Sequence, residues 1–405
     1  MSDPAGRLNI QLRRTPQGLA CAIRSTRPVT AASMFAGRSV TQTATLLPML
    51  YSICAKAQAS ACASALESAT GLVPTDPVRA ARGILVKIET IREHLWRILL
   101  DWPRLSGDSP DQASTALLLA RVKALLTLVD PDGDLFQPGV QAVGFDRDAA
   151  LERLDELDAL VARAVLGMTA DQWLEAIARP DDLVRWIGTT ETSAARLLRT
   201  LSAAGEASLG QCESHALPEL DPRALSARLL APDAADFQAA PSWDGCPRET
   251  SPFTRQADHE PMPALVARHG NGLLPRLVAP LLEVARLLSE VRATLTETMP
   301  ASEDPRRAAP GVGLGRVEAA RGRLVHLARV EQGRILDYRI LAPTEWNFHP
   351  EGLLAKALSG LPMADEGRLA RWAELLILST DPCVAYDLLI APSASCHDPV
   401  QGSEP

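Results

Sequence analysis

The sequence is poor in lysine and in aromatic residues, and it has no long apolar run. Arginine supplies nearly all the positive charge, aromatic residues make up 4% of the chain, and the formal net charge is −8. An acidic chain without a basic cluster is not expected to bind nucleic acid or an anionic membrane. The most apolar stretches, 273–288 and 375–392, meet a charged residue before the roughly 20 residues that a membrane span needs. We expect no membrane span.

The N-terminus and the cysteines exclude further classes of protein. Residues 1–14 lack the apolar core of a secretory signal and carry no twin-arginine leader, so the cytoplasm is the expected location. The seven cysteines are odd in number and widely spaced, and none forms a CxxC pair. This pattern favours neither a disulfide framework nor a structural zinc site.

Length and composition are those of a globular protein. The chain has 405 residues, of which 46% are hydrophobic and 22% are charged, which is the balance of a folded soluble chain. We predict one large domain over residues 1–405. Within it, residues 204–263 are rich in Pro, Asp, Ser and Gly and are interpreted as an irregular connection or insertion. Residues 393–405 are interpreted as a flexible tail.

Hydrophobic periodicity predicts a mainly α (α+β) fold. Alternation from Leu8 to Leu12, a turn at Pro16–Gly18 and a second apolar run predict a strand, a turn and a strand. A second hairpin is predicted where Glu331–Arg334 separates two strand-like runs. Helical periodicity is found in seven windows: Leu46–Ala69, Val78–Trp102, Ala113–Leu128, Ala149–Val165, Leu281–Glu297, Leu353–Leu358 and Gly367–Ile377.

One stretch carries a long and specific motif. Residues 313–347 read GLGRVEAARGRLVHLARVEQGRILDYRILAPTEWN. This resembles the large subunit of nickel–iron hydrogenases, which has E-A-P-R-G-x-L-x-H-W, a hairpin, and then V-P-[ST]-x-W-N. The embedded GVGLGR is a weak nucleotide signal by comparison, since no strand precedes it and no helix follows. The matching positions are Glu318, Ala319, Arg321, Gly322, Leu324, His326, Pro343, Thr344, Trp346 and Asn347.

Three shorter segments resemble the same family and extend the likeness in outline over most of the chain. Asp381–Cys383 is similar to the start of D-P-C-x-x-C-x-x-H near the family's mature C-terminus. Ile53–Cys54, after Gly37–Arg38, is similar to R-[IV]-C-G-x-C. Glu249–Pro252, followed by an arginine, is similar to an internal E-x-G-P-x-x-R stretch. The resemblance implies a large-subunit-like helical core with small β-hairpins in the N- and C-terminal parts.

The chain departs from the family where the metals are held. In the hydrogenases four thiolates hold nickel and iron, whereas here Ala57 and Tyr386 stand where the second cysteine of each pair is expected. Alanine cannot ligate, and a phenol with a pKa near 10 is a poor bridging ligand. Leu389 stands where the family has a histidine after its last cysteine. The segment Arg7–Ile10 lacks the glutamate that relays protons in the family's N-terminal segment. We therefore expect neither a stable nickel–iron centre nor catalysis.

The outer shell of the iron is retained. The resemblance implies that Arg321 and Thr344 donate hydrogen bonds toward cyanide ligands, a task that suits a permanently charged arginine. Cys54 and Cys383 are the candidate metal ligands. Their alternative role is that of buried small hydrophobes, and Thr344 has the alternative role of satisfying the backbone.

Other polar residues are given structural roles. His326 and Trp346 are expected to pack the second hairpin against helices. Glu93 and His94 are expected at a solvated helix edge. Cys62, or Cys212 with His215, are weak metal candidates, since neither has a second pair of ligands.

The pattern as a whole resembles the HupK/HoxV group of hydrogenase accessory proteins. That likeness implies a non-catalytic scaffold that transiently holds the Fe(CN)2(CO) fragment before its transfer to the hydrogenase large subunit. Its implied partners are HypC/HypD-like maturation proteins and that large subunit. The retained cysteines match terminal nickel ligands, so iron would bind in a shifted position. The alternatives are a metal-free chaperone or docking paralogue and an active hydrogenase.

Overall fold

The computed structural model describes residues 6–296 and 307–391. The predicted tail, 393–405, lies outside the described residues. The strands are β1 (Arg7–Thr15), β2 (Gly18–Ser25), β3 (Ser242–Trp243), β4 (Cys246–Pro247), β5 (Arg307–Ala309), β6 (Val312–Ala319), β7 (Gly322–Glu331), β8 (Arg334–Leu341) and β9 (Ala385–Ala391). Within these residues helices dominate, and the strands form three sheets with the orders β2-β1-β9, β3-β4 and β5-β6-β7-β8. The mainly α expectation is thereby confirmed.

The seven predicted helical windows all overlap helices of the structure, but the window Leu46–Ala69 is divided by a break at Tyr51–Cys54, and several further helices had no predicted window. The helices of the first half are α1 (Val40–Leu50), α2 (Ala55–Thr70), α3 (Asp76–Leu105), α4 (Gln112–Val129), α5 (Arg147–Val161), α6 (Ala170–Ala176), α7 (Pro180–Thr189) and α8 (Ser193–Ala203). Those of the second half are α9 (Pro222–Leu229), α10 (Ala234–Ala239), α11 (Pro252–Arg255), α12 (Met262–His269), α13 (Leu273–Thr296), α14 (Pro343–Asn347), α15 (Leu353–Ser359) and α16 (Glu366–Thr380).

The N-terminal sheet joins the two ends of the chain. β1 and β2 form the predicted hairpin, in which Leu8, Ile10 and Leu12 are buried. β9 then pairs with β1 in parallel, with Leu8 opposite Tyr386. The strand pattern of residues 385–391 was not singled out in the sequence, because its partner strand lies at the other end of the chain.

The helical core is built around α3 and α13. The apolar stripe of α3 packs against α13, α4 and α8. The sequence predicted a helix that starts at Leu281, just after Pro280. That start was wrong, since α13 begins at Leu273 and runs through the proline. Leu274, Leu277 and Val278, which precede the proline, are buried. Burial of this first turn offsets the hydrogen bond that proline cannot donate.

The sheet β5–β8 confirms the predicted second hairpin and packs face-on against α2. Gly313 and Gly315 permit this contact. A Cβ on either glycine would lie 2.0 Å from a backbone oxygen of α2, that of Ala65 or Ala61. The glycines of GVGLGR therefore serve close packing and not phosphate binding, and this packing brings the start of α2 near the end of β6.

Residues 204–263, interpreted as an irregular connection, contain α9, α10, α11 and the short β3–β4 hairpin.

Among the described residues, α4 is the helix that is long and apolar enough to cross a membrane by length and composition alone. One face of α4, at Leu118, Val122 and Leu125, packs into the core, whereas Leu117 and Leu119 are exposed.

Candidate functional site

Three of the four predicted site residues line one cavity of about 530 Å3. Cys54, Arg321 and Cys383 form part of its wall, and Pro343 brings the start of α14 to the same place. Thr344 follows on α14 and reaches the site through the sulfur of Cys383. Residues separated by more than three hundred positions therefore meet at one point.

Cys54 is positioned by the start of α2. It ends a short 3-10 turn, Ser52–Cys54, immediately before the helix. The buried carboxylate of Glu89 on α3 accepts the first helical N–H groups, from Lys56 and Ala57, each at 2.9 Å. Such donors have no partner within the helix. Burial raises the pKa of Glu89 to about 6.

Cys383 is positioned by the segment between α16 and β9. Asp381 ends α16 with a left-handed backbone, φ 56°. Arg97 on α3 then fixes the segment, because its Nε donates to Asp381 Oδ1 at 2.8 Å and its Nη2 donates to the carbonyl of Pro382 at 3.0 Å. The thiol is thereby held against the cavity wall.

The sulfur of Cys383 has two polar neighbours. Arg27 Nη1 donates to Sγ at 2.9 Å, and the hydroxyl of Thr344 lies 2.8 Å from Sγ in a hydrogen bond that either group can donate. Arg27 also forms a buried ion pair with Glu345, Nε to Oε1 at 2.8 Å. Sequence reasoning missed Arg27, which lies just after β2 outside every motif. Its one sequence signal is a cation directly following a strand.

Arg321 sits in the tight turn between β6 and β7. The next residue, Gly322, has φ 133°, and a Cβ there would lie 2.2 Å from the carbonyl oxygen of Thr250. Asn347 Nδ2 donates to the carbonyls of Thr250 and Arg321, at 2.7 and 3.0 Å. The R-G and W-N parts of the motif therefore hold one turn together and fix the arginine.

Two carboxylates clamp the Arg321 side chain. Its Nη1 donates to Glu93 at 3.0 Å, and its Nε lies 3.2 Å from Asp381 without hydrogen-bond geometry. Glu93 was expected at a solvated helix edge together with His94, and both expectations were wrong. His94 is buried and bonded to Glu283 at 2.8 Å. The helix edge is covered by the arginine turn on one side and by α13 on the other.

Cys54 has a different environment from Cys383. Its sulfur accepts a hydrogen bond from Gln58 Nε2 at 3.6 Å, and Gln58 Oε1 contacts His326, which contacts the hydroxyl of Tyr338. Burial raises the pKa of the Cys54 thiol to about 12, and the nearby Cys383 and Glu89 add to the rise. Burial also lowers the pKa of His326 to about 3, so this histidine is neutral. His326 and Trp346 are buried packing residues, as expected.

The two lost ligand positions do not line the cavity. Ala57 is buried in the first turn of α2. Tyr386 lies on β9 and packs against the main core. Burial raises the pKa of its phenol to about 12. Neither side chain substitutes for the missing thiolate.

The donor set fits a group that brings its own ligands. Among the described residues, no group of three or more His, Cys, Asp or Glu side chains is arranged to hold a metal ion, so a bare ion would find two thiols only. Buried arginine donors beside those thiols instead match an anionic fragment. The Nε of Arg321 is buried without a hydrogen-bond acceptor.

The other candidate residues have structural surroundings. Glu249 of the internal motif pairs with Arg276 at 2.8 Å and lies off the cavity. Cys62 is fully buried in α2. Cys212 contacts a backbone carbonyl and His215 contacts Glu213, which is not the geometry of a metal site.

The mouth of the cavity is apolar. Four lining side chains are largely exposed, namely Met34 (51%), Met49 (72%), Leu50 (53%) and Ile53 (45%). Exposed apolar patches of this kind mark interaction sites in soluble proteins. Methionine side chains adapt to varied partners.

The fold is that of a nickel–iron hydrogenase large subunit. The reduced nickel–iron–selenium hydrogenase of Desulfovibrio vulgaris Hildenborough superposes with a TM-score of 0.60, at 17% identity, over 91% of this chain and 94% of that chain. An NAD+-reducing nickel–iron hydrogenase superposes with a TM-score of 0.59, at 16% identity, over 90% and 92% of the two chains. Residues 277–387 match the family model of nickel-dependent hydrogenase.

Relatives that match this chain over nearly their whole length are named hydrogenase expression/formation proteins. The hydrogenase expression/formation protein HupV of Azotobacter chroococcum is 31% identical over 95% of this chain and 99% of its own. The corresponding protein HoxV of Cupriavidus necator is 31% identical over 96% of each chain. The chain belongs to this family of hydrogenase expression/formation proteins.

Proposed function

We propose that the protein is a non-catalytic accessory protein of nickel–iron hydrogenase formation, which transiently holds the Fe(CN)2(CO) fragment before transfer to the hydrogenase large subunit. The observation that carries the proposal is the meeting of Cys54, Cys383 and Arg321 in one cavity. Half of the family's thiolate set is absent from that cavity. The names of the relatives support the accessory role.

The donor set suits temporary binding. The site would offer two thiolates and no nickel, whereas a mature centre holds its two metals with four thiolates, so the fragment can be released. Arg321 would donate to a cyanide nitrogen, and Thr344 would orient the sulfur of Cys383. Arg321 is held by Glu93 and Asp381 and need not reorganise when the fragment binds.

The apolar mouth is the natural docking surface for the donor and acceptor of the fragment. Met49 and Ile53 lie at the opening, so a protein seated there would shield the fragment from water during transfer. A HypC/HypD-like maturation protein or the hydrogenase large subunit would dock at this surface.

The test is complementation of hydrogenase maturation together with iron analysis. Strains would carry the wild-type protein or the Cys54→Ser, Cys383→Ser or Cys246→Ser variant. We expect iron in the purified wild-type and Cys246→Ser proteins, and loss of iron and of hydrogenase maturation in the other two. Cys246 is the matched control because it is partly exposed and does not line the cavity.

A second candidate, the metal-free docking paralogue, makes the opposite prediction. The apolar mouth favours it, because docking alone would explain that surface. If both cysteine variants support full maturation and no iron is found in any preparation, the fragment-carrying role is wrong and the docking role replaces it.

A further inference from the structure

The cavity holds a second arginine that no motif assigns. We propose that Arg27 is an anion-binding residue, and that with Arg321 it makes the cavity selective for small anions that reach Cys383. This inference rests on the proposed use of the cavity as a binding site and names the ligand class, a small anion held between two guanidinium groups.

The first support is the placement of the donors. Arg27 Nη1 lies 2.9 Å from the sulfur of Cys383, and its Nε lies 2.8 Å from Glu345. For Arg321, Nη1 bonds to Glu93 and Nε faces Asp381. Within the described residues both guanidinium groups form their side-chain hydrogen bonds through Nη1 and leave Nη2 without one. Both side chains line the cavity. Each guanidinium therefore keeps a donor for a ligand.

The second support is the charge of the wall. Among the described residues that line the cavity, Arg27 and Arg321 are cationic and Glu345 is the one carboxylate. The other lining residues are mostly apolar. Glu93 and Asp381, which pair with Arg321, do not line the cavity, so the wall itself presents two guanidinium groups and one carboxylate. Guanidinium donors that face an apolar, partly enclosed space attract an anion more strongly than they do in water.

A purely structural ion pair is the competing explanation for Arg27. Such a pair would need only Glu345, yet the guanidinium also reaches the sulfur. Arginine is suited to such shared use, because its planar fork can serve a carboxylate on one edge and an anionic ligand on the other. The structural explanation predicts no preference for anions at Cys383, so the two can be separated.

The experiment compares alkylation of Cys383 by iodoacetate, an anion, and by iodoacetamide, its neutral analogue. Both rates are measured on the full chain by peptide mass mapping. The ratio used is the rate with iodoacetate divided by the rate with iodoacetamide, and the thiolate fraction of Cys383 cancels in it. With a cation a few ångströms from the sulfur, we expect the ratio to fall about tenfold in Arg27→Met. Arg27→Lys, which keeps the charge, should stay within about twofold of wild type.

Matched variants keep the test sound. Arg24→Met removes the same charge from an exposed position on β2, and it should leave the ratio unchanged. Since Arg27→Met leaves Glu345 buried without its partner, the pair Arg27→Met with Glu345→Gln keeps the local charge balanced if the single variant does not fold. In that pair the ratio should fall as well.

The inference is overturned if the ratio in Arg27→Met, or in the balanced pair, equals that of wild type, or if Arg24→Met lowers it equally. The readout needs no iron and no maturation partner. If the ratio falls in Arg27→Met as expected but no preparation of the protein contains iron, the proposed iron fragment is refuted and the anion site is retained.

Discussion

Cys383 and Cys54 line the same cavity, but their surroundings differ. The sulfur of Cys383 contacts a partly buried guanidinium and a hydroxyl. The sulfur of Cys54 contacts an amide, and burial, Cys383 and Glu89 all disfavour ionisation of its thiol by raising its pKa. The two retained cysteines are therefore not chemically equivalent. We expect Cys383 to engage an iron fragment first and Cys54 to follow once the metal displaces its proton.

The largest expected effect concerns the reactivity of Cys54. Because burial raises the pKa of its thiol to about 12, its thiolate fraction at pH 8 is about a thousandfold below that of an unshifted thiol. Its rate of alkylation by iodoacetamide should rise about tenfold per pH unit up to pH 10. Peptide mass mapping, with glutathione as the reference thiol, measures this. A plateau near pH 9 would mean that burial does not raise the pKa of the Cys54 thiol.

The next effect concerns the clamp on Arg321. Arg321→Met removes the shared cation of Glu93 and Asp381, although Arg92 and Arg97 still pair with them. Loss of a hydrogen bond between charged groups costs about 2 kcal/mol of unfolding free energy. Urea unfolding measures the change, and the exposed Arg24→Met should shift stability by less than about 0.5 kcal/mol. Equal losses in the two variants would show that the clamp is not a buried ion network.

A smaller effect is expected on the binding of a partner protein at the cavity mouth. Met49→Asp places a charge on the apolar mouth and should weaken binding of a HypC-like maturation protein about tenfold, because docking would bury the carboxylate without a partner. Titration calorimetry measures the affinity. Val184→Asp is the control, since Val184 is 54% exposed on α7 and does not line the cavity. Equal weakening by both would mean that the partner does not dock at the mouth.

The smallest effect tests the hydroxyl on Cys383. Thr344→Val keeps the shape and removes the hydrogen bond, which should cost about 1 kcal/mol of unfolding free energy. Thr344→Ser should recover most of the loss. Thermal unfolding followed by circular dichroism measures both. If serine and valine behave alike, the hydroxyl contact does not distinguish the Cys383 side.

Much of the fold and part of the site could be predicted from the sequence. The hairpins, the long helices and the motif from Glu318 to Asn347 were read from periodicity and spacing, because those features are local. Arg27 and Gln58 could not be found in this way. Their roles arise from contacts with Cys383 and Cys54, and only tertiary packing brings Arg27 to its sulfur.

The difference between local sequence features and tertiary contacts also explains the predictions that were wrong. Glu93 and His94 have the polar character of a helix edge, and the sequence does not show that the Arg321 turn and Glu283 cover that edge. Pro280 is a helix breaker in isolation, and burial of the preceding turn overrides this preference. Local propensity fails where long-range burial or pairing is stronger.

The most direct test of the central proposal is an infrared spectrum of protein purified without oxygen from cells that express the hydrogenase maturation proteins. If the protein carries the iron fragment, we expect bands in the cyanide and carbonyl stretching region that disappear in Cys383→Ser and persist in Cys246→Ser. A featureless spectrum from wild-type protein, with no iron by elemental analysis, would contradict it.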